Sequence, residues 1–423
     1  MAKNRKITRH KYEPSRRQLS HANQQKRRRR FILGIGSVII AAVLVLVGVG
    51  VYSQWYLPVY KPLHQTVLEV NGEKFNMDYF IKALNHYSGG QADFISFLID
   101  PVANNIQQGT LIRQEALALG YSVSNNEIKD KLAESDIADN KATRDIIETQ
   151  LVIDRLFDEH FGPQVPEAML QKDILVMFLE SQSQLEEVRQ RLAAGDDFAE
   201  LAAALSLDEA TAEDGGELGW LPDGIIDSVL NTEVIEDFVS SATAGELSPP
   251  LYDEARTKEL GYWLVSIIEK HDDPEEVHIQ VMLLGSEEEA LEVRARVETG
   301  ENFGDLAAEL SQLPSAADDM GDLGFITRAV GESAFNEFVF DSGAASGSLS
   351  QPIADEDQPT QGGYWLVKVR DVEDNRQLSE ENRELLLNKA FQEWLEAITS
   401  DPANQVTVYL DEEMRAFAIA EAG

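Results

Sequence analysis

The chain has 423 residues, enough for about three ordinary domains, and a net charge of −38 that is split unevenly along it. Residues 1–30 hold 12 Lys/Arg against one acid, residues 31–60 hold no charge, and the remainder holds 24 basic and 73 acidic residues, a net −49. A body that acidic is repelled by nucleic acid, and a chain without cysteine has no disulfide, thiolate metal site or cysteine nucleophile.

The apolar run at 31–52 follows four consecutive arginines, Arg27 to Arg30. It is long enough to cross a bilayer, and its basic flank places residues 1–30 in the cytoplasm and everything beyond the span outside. No small-residue cleavage site follows, because Tyr52, Gln54, Trp55 and Tyr56 are bulky, so the run reads as an uncleaved anchor rather than a signal peptide. The aromatic residues after it form an interfacial belt, and Pro58 and Pro62 stiffen a short stalk.

Residues 64–169 read as mainly helical. A short strand at 67–70 runs into the turn Asn71-Gly72, and Asn76 caps a helix reaching Tyr87. A helix over 102–119 stops at Gly120, a capping box (Ser124 to Glu127) opens the next, and a third carries Ile146, Ile147, Leu151 and Phe157.

A block is then written twice. Residues 186–206 and 291–311 share 11 of 21 positions, and the likeness continues through GGELGW against MGDLGF, GELSPP against GSLSQP, and GYWLVSI against GYWLVKV. The offset is 105 residues at first and 102 at the end, so two units of domain size, 170–271 and 272–374, are expected. In each copy a helix runs to a glycine (Gly195 or Gly300), and Asp197 or Asn302 caps a second helix. Val277, Ile279, Val281 and Leu283 alternate with His278, Gln280 and Met282 as a strand with one buried face, and residues 174–179 are its counterpart. The fold class is therefore α+β, with helices packed on an antiparallel sheet. After the repeats, Ser379 caps a helix whose Leu387, Phe391, Trp394, Leu395 and Ile398 share one face. Residues 376–423 are expected to return to the helical region before the repeats.

The motif G-x-x-F-x-x-L-A-x-x-x-S with GGELGW, GELSPP and GYWLVSI resembles the parvulin peptidyl-prolyl isomerases. Residues 69–80 and 111–128 are similar to the amino-terminal domain of SurA-type and PrsA-type foldases. The resemblance implies a helical chaperone domain, two parvulin units and a returning helix. The function it implies is that of an extracytoplasmic chaperone for unfolded exported chains and X-Pro segments, with no cofactor.

The resemblance also implies departures. The family's two histidines fall at Val176 and Trp263 in the first unit and at Val281 and Trp365 in the second, so Val176 is expected beside Trp263 and Val281 beside Trp365. The family's third polar position is Asp208 in the first unit and Leu313 in the second. Asp208 is the single candidate catalytic residue, with a solvated turn aspartate as the plain alternative. By the same resemblance Leu218, Ile235, Phe238 and Trp263 line the first peptide groove, and Leu323, Phe335, Phe338 and Trp365 the second. Plain core packing is the alternative for both tryptophans. The seven histidines lack metal-ligand spacing, and no metal is expected. An isomerase and a holding chaperone without turnover both remain open; Asp208 favours the first and the missing histidines the second.

Overall fold

The computed structural model describes residues 42–135, 137–272, 275–328, 334–341 and 343–422. The basic tail at 1–30 and the first part of the apolar run lie outside the described residues. Ala42–Leu63 is an exposed helix of 22 residues, long and apolar enough to cross a membrane. It continues through the expected stalk: Tyr52–Tyr60 is wound as π-helix with Pro58 inside it.

Two compact units follow, one comprising the residues up to His160 with Gln392–Gly423, the other Phe161–Phe391. In the first unit a small antiparallel sheet forms from β1 (Thr66–Val70) and β2 (Glu73–Asn76), joined on the other side of β1 by Val406–Val408 from the far end of the chain. Asn76 caps Met77–Ser88 as expected, its side chain accepting from the Tyr79 N–H at 3.0 Å. Ile95–Ala118 starts seven residues earlier than the expected 102 and holds Pro101 in its second turn. The Ser124–Glu127 capping box forms in both directions, at 3.3 and 2.8 Å. Val67, Leu68, Phe75, Phe80, Leu84 and Ile95 make the core.

The return of the chain is shorter than expected. Only residues from Gln392 onward belong to the first unit. The start of the helix Glu380–Ser400 belongs to the second, where Asn382 donates to the Trp220 carbonyl at 2.9 Å and Arg383 to the Val165 and Gly162 carbonyls at 3.0 and 2.9 Å.

The second unit is one six-stranded antiparallel sheet. In chain order its strands are β3 (Ala168–Leu179), β4 (Glu217–Pro222), β5 (Leu251–Asp272), β6 (Glu275–Leu284), β7 (Asp322–Thr327) and β8 (Ile353–Gln377), and in space they run β4-β3-β8-β5-β6-β7. The doubled helix–glycine–helix block forms in both copies, with Gly195 and Gly300 at φ +104° and +107° and Asp197 and Asn302 capping the second helices. These helices cover one face of the sheet, so the strands are buried on both sides. Met282, expected on an exposed face, is fully buried against Ala290, Val293, Phe303 and Leu306. Leu175 and Met177 lie likewise under Leu185, Phe198 and Leu201.

The order of strands overturns the expected pairings. β3 of the first repeat pairs with β8 of the second, setting Val176 opposite Val367 and Phe178 opposite Trp365. β6 of the second repeat pairs with β5 of the first, setting Val281 opposite Val265 and Leu283 opposite Trp263. Each repeat therefore closes its sheet with the other repeat's last strand. The exchange passes through a crossover in which Thr257, Lys258 and Glu259 face Gln361, Thr360 and Pro359. Lys258, only 3% exposed, donates to the carbonyls of Gln361 and Gly362 across it.

Candidate functional site

The opposite face of the sheet is covered by short helical segments, among them Ile226–Leu230 and Glu236–Ser241 in the first half, and beside this cover lie two furrows, one in each half, built from matching positions. The first begins with Asp208, which sits just before the short helix Glu209–Ala212 and is 2% exposed. Its carboxylate accepts from the Thr211 hydroxyl at 2.5 Å and pairs with the Arg256 guanidinium. Arg256 also donates to the Leu230 carbonyl at 2.9 Å and lies 5.4 Å from the centre of the Trp365 ring. Asp208 is thus neither a solvated turn residue nor a free acid. It is half of an ion pair whose arginine comes from the crossover.

Asp253 completes this cluster. One of its oxygens accepts from the Thr232 hydroxyl at 2.7 Å and from the Trp365 indole N–H at 3.1 Å; the other accepts from the backbone N–H groups of Ala255 and Arg256. All four donors converge on a carboxylate 4% exposed, which satisfies its capacity in a place where an unmet polar group is costly. Beside the cluster opens a furrow of about 890 Å³ whose lining includes Thr232, Val234, Asp253 and Arg256, with Asp227 and Glu254 also on it.

The second furrow repeats the frame without the ion pair. The Trp263 indole N–H donates to Asp355 at 2.9 Å, as Trp365 does to Asp253. Leu313 and Ala316 stand where Asp208 and Thr211 stand in the first half, and Gln358 stands in place of Arg256. The furrow, about 600 Å³, is lined by Trp263, Ala334, Phe335, Ala354 and Asp355, with Glu356 and Asp357 also on it. Trp263 and Phe335 meet edge to face at 5.5 Å, an arrangement aromatic rings favour.

The nine expected site residues divide accordingly. Trp263 and Phe335 line the second furrow, and Phe338 packs on the core beneath it. Leu218 and Phe238 are half-buried against the core of the first half. Trp365 and Ile235 are fully buried and offer no surface to a ligand, since Phe178 and Arg256 cover the faces of the indole. Leu323 is 39% exposed and lies outside the second furrow. Each tryptophan belongs to the opposite furrow from the one expected, because of the strand exchange. Asp253, Asp355, Thr232 and Arg256 were missed, though the sequence held a signal for two of them: Asp-Glu recurs at 253–254 and 355–356 at the same offset of 102 as the closing strands. His278 is turned away from both furrows, 2.7 Å from Asp322 and with its ring tilted against that of Phe325 at 5.0 Å. Among the described residues no group of His, Asp and Glu is arranged to hold a metal ion.

Burial shapes the electrostatics of the crossover between the furrows. It lowers the Lys258 pKa to about 8, against the opposing pull of Glu180 and Glu289, and it raises both of those carboxyls.

The two halves share the long strands β5 and β8, and each carries paired helices on one face and a furrow beside the other, a tandem pair of like domains. Residues 179–269 and 284–371 match the PPIC-type PPIASE domain of rotamases. The chain is 28% identical to the foldase protein PrsA of Caldanaerobacter subterraneus over 37% of this chain and 54% of that one. It is 26% identical to the chaperone SurA of Pseudomonas aeruginosa over 68% of this chain and 65% of that one. It therefore spans 54 to 65% of the length of these curated relatives. A solved structure of the peptidylprolyl isomerase PrsA from Bacillus anthracis matches 75% of this chain and 94% of its own at 12% identity, with a TM-score of 0.30. Two PPIC-type rotamase domains thus stand in tandem in a chain that is similar to PrsA foldases and SurA chaperones.

Proposed function

We propose that this protein is a membrane-anchored extracytoplasmic foldase that holds extended segments of unfolded exported polypeptides in its two furrows. The observation that carries this is the pair of furrows at matching places in the two repeats, each with an apolar side and carboxylates along it. An extended chain laid there buries an aromatic or proline ring against Phe335 and Trp263, or against Val234. The carboxylates favour clients with Lys or Arg beside that ring. The apolar helix at Ala42–Leu63 supports the tether, and the basic tail before it supports a cytoplasmic amino terminus. No nucleic acid partner is proposed.

Isomerase activity belongs to the first furrow in this reading. Rotation about an X-Pro bond faces a barrier of about 20 kcal/mol and needs no bond made or broken, so a site that desolvates the carbonyl and favours the twisted state suffices. The first furrow offers a guanidinium, that of Arg256, held by Asp208 at its floor; the second has Gln358 and Leu313 there, a specific reason to read it as binding without turnover.

The test is suppression of aggregation of an unfolded client by the full chain in detergent micelles, with a proline-limited refolding assay beside it. Slowed aggregation is expected, and loss of it when Val234→Asp and Phe335→Asp place a charge in both furrows. No slowing at several-fold excess of the native chain would overturn the holding role.

A further inference from the structure

The exchange of closing strands separates what each furrow is made of from what anchors it. We propose that Trp365, from the second repeat, is the positioning residue of the first furrow, and that Trp263, from the first repeat, positions the second. The inference rests on the peptide-holding reading of the furrows and adds which part of the chain controls each.

The segment Gly-Tyr-Trp-Leu-Val occurs at 261–265 and again at 363–367. Either copy therefore fits either sheet, and the tryptophan contacts alone do not select an arrangement. The difference lies in the crossover, which the contiguous arrangement has no counterpart for. There Lys258 donates to the Gln361 and Gly362 carbonyls, Thr360 to the Leu260 carbonyl, and Gln312 is joined to Gln361 in both directions, at 3.0 and 2.6 Å. Exchange of a like element between like partners is a low-cost step that such hinge contacts tip.

Through the exchange, Trp365 acts on the first furrow without touching its ligand. Its indole N–H holds Asp253, and the same carboxylate holds the backbone N–H of Arg256, so the turn presenting the guanidinium is set by a residue 109 positions away. The face of the indole then backs that guanidinium. In the second half Trp263 holds Asp355, whose other oxygen accepts the Asp357 N–H at 3.2 Å on the furrow's edge. The two halves use one device, each borrowing its anchor.

The probe is a lysine-flanked peptide carrying a benzoylphenylalanine-proline pair, photo-crosslinked to the full chain in detergent micelles and mapped by mass spectrometry. Trp365→Phe keeps the ring bulk and removes the donor. It should lower labelling of residues 227–257 about five-fold and leave labelling of 334–340 and 353–358 unchanged, and Trp263→Phe should do the reverse. Adding Asp253→Asn to Trp365→Phe should lower labelling of residues 227–257 no further than either change alone, whereas adding Asp355→Asn should leave that labelling as it is and lower labelling of 334–340 and 353–358. Loss confined to one furrow is what a general destabilisation of the fold would not produce. Loss at the second furrow on Trp365→Phe, or equal loss at both, overturns the assignment. Labelled furrows that ignore both tryptophans do so as well. Absence of labelling in either furrow of the native chain instead overturns the peptide-holding reading itself.

Discussion

The two furrows share a sheet, a tryptophan–aspartate bond and an acidic edge, yet one encloses an ion pair where the other encloses leucine and alanine. Leu313 and Ala316 pack as well as Asp208 and Thr211 do: Ala316 and Thr211 are both buried, and each half keeps its own core. The fold therefore does not need the charges. A buried ion pair is weak support for stability, because desolvation offsets most of its attraction. Its presence in one half alone is what separates a furrow with polar chemistry from one that only binds.

The largest effect should come from the shared anchors. Trp365→Ala removes a fully buried indole and is expected to cost about 4 kcal/mol, against about 3 kcal/mol for Trp263→Ala, whose ring already borders an open furrow. Denaturant midpoints of the two variants in the full chain compare them, and a greater loss for Trp263 would contradict the packing described. Next comes the ion pair. Asp208→Ala strands Arg256 and should cost about 3 kcal/mol, while the triple change Asp208→Leu, Thr211→Ala, Arg256→Gln, which copies the second half into the first, should stay within about 1 kcal/mol of the native chain. If the triple variant is as unstable as the single one, the charges hold the fold after all. In refolding assays it should behave as a binding furrow without turnover.

The smallest effect concerns the crossover. Burial holds the Lys258 pKa at about 8, below its value in the unfolded chain. Between about pH 8 and pH 10 the unfolded chain then binds more protons than the folded one, so this residue makes stability rise with pH across that window. Its penalty is fully present below about pH 8. Lys258→Met should flatten the rise, measured as unfolding midpoint against pH; an unchanged slope would place the titration elsewhere.

Much of this architecture was legible in the residues. The doubled block, with an offset that changes only from 105 to 102, marked two like units, and the caps at Asn76, Ser124, Asp197 and Asn302 form as their side chains demand. The strand exchange was not legible, for a physical reason. The closing strands are near copies, so pattern and propensity are satisfied equally by either pairing, and the deciding contacts lie in a crossover whose residues, such as Lys258 and Thr360, look like an ordinary exposed connection. The same exchange hid the sites: Trp263 and Trp365 were recognisable as matched residues but not as partners of Asp355 and Asp253. Arg256 carried no motif, and its meaning comes only from the buried Asp208 that it meets.

The exchange can be trapped directly, because the chain contains no cysteine to compete. Leu175 lies opposite Lys368 across β3 and β8, and contiguous closure would put Ser266 there instead. In the oxidised full chain the pair Leu175→Cys with Lys368→Cys should form a disulfide almost completely, and Leu175→Cys with Ser266→Cys should not. Efficient linkage of 175 to 266, with 175 and 368 left as free thiols, would contradict the exchanged pair and everything derived from it.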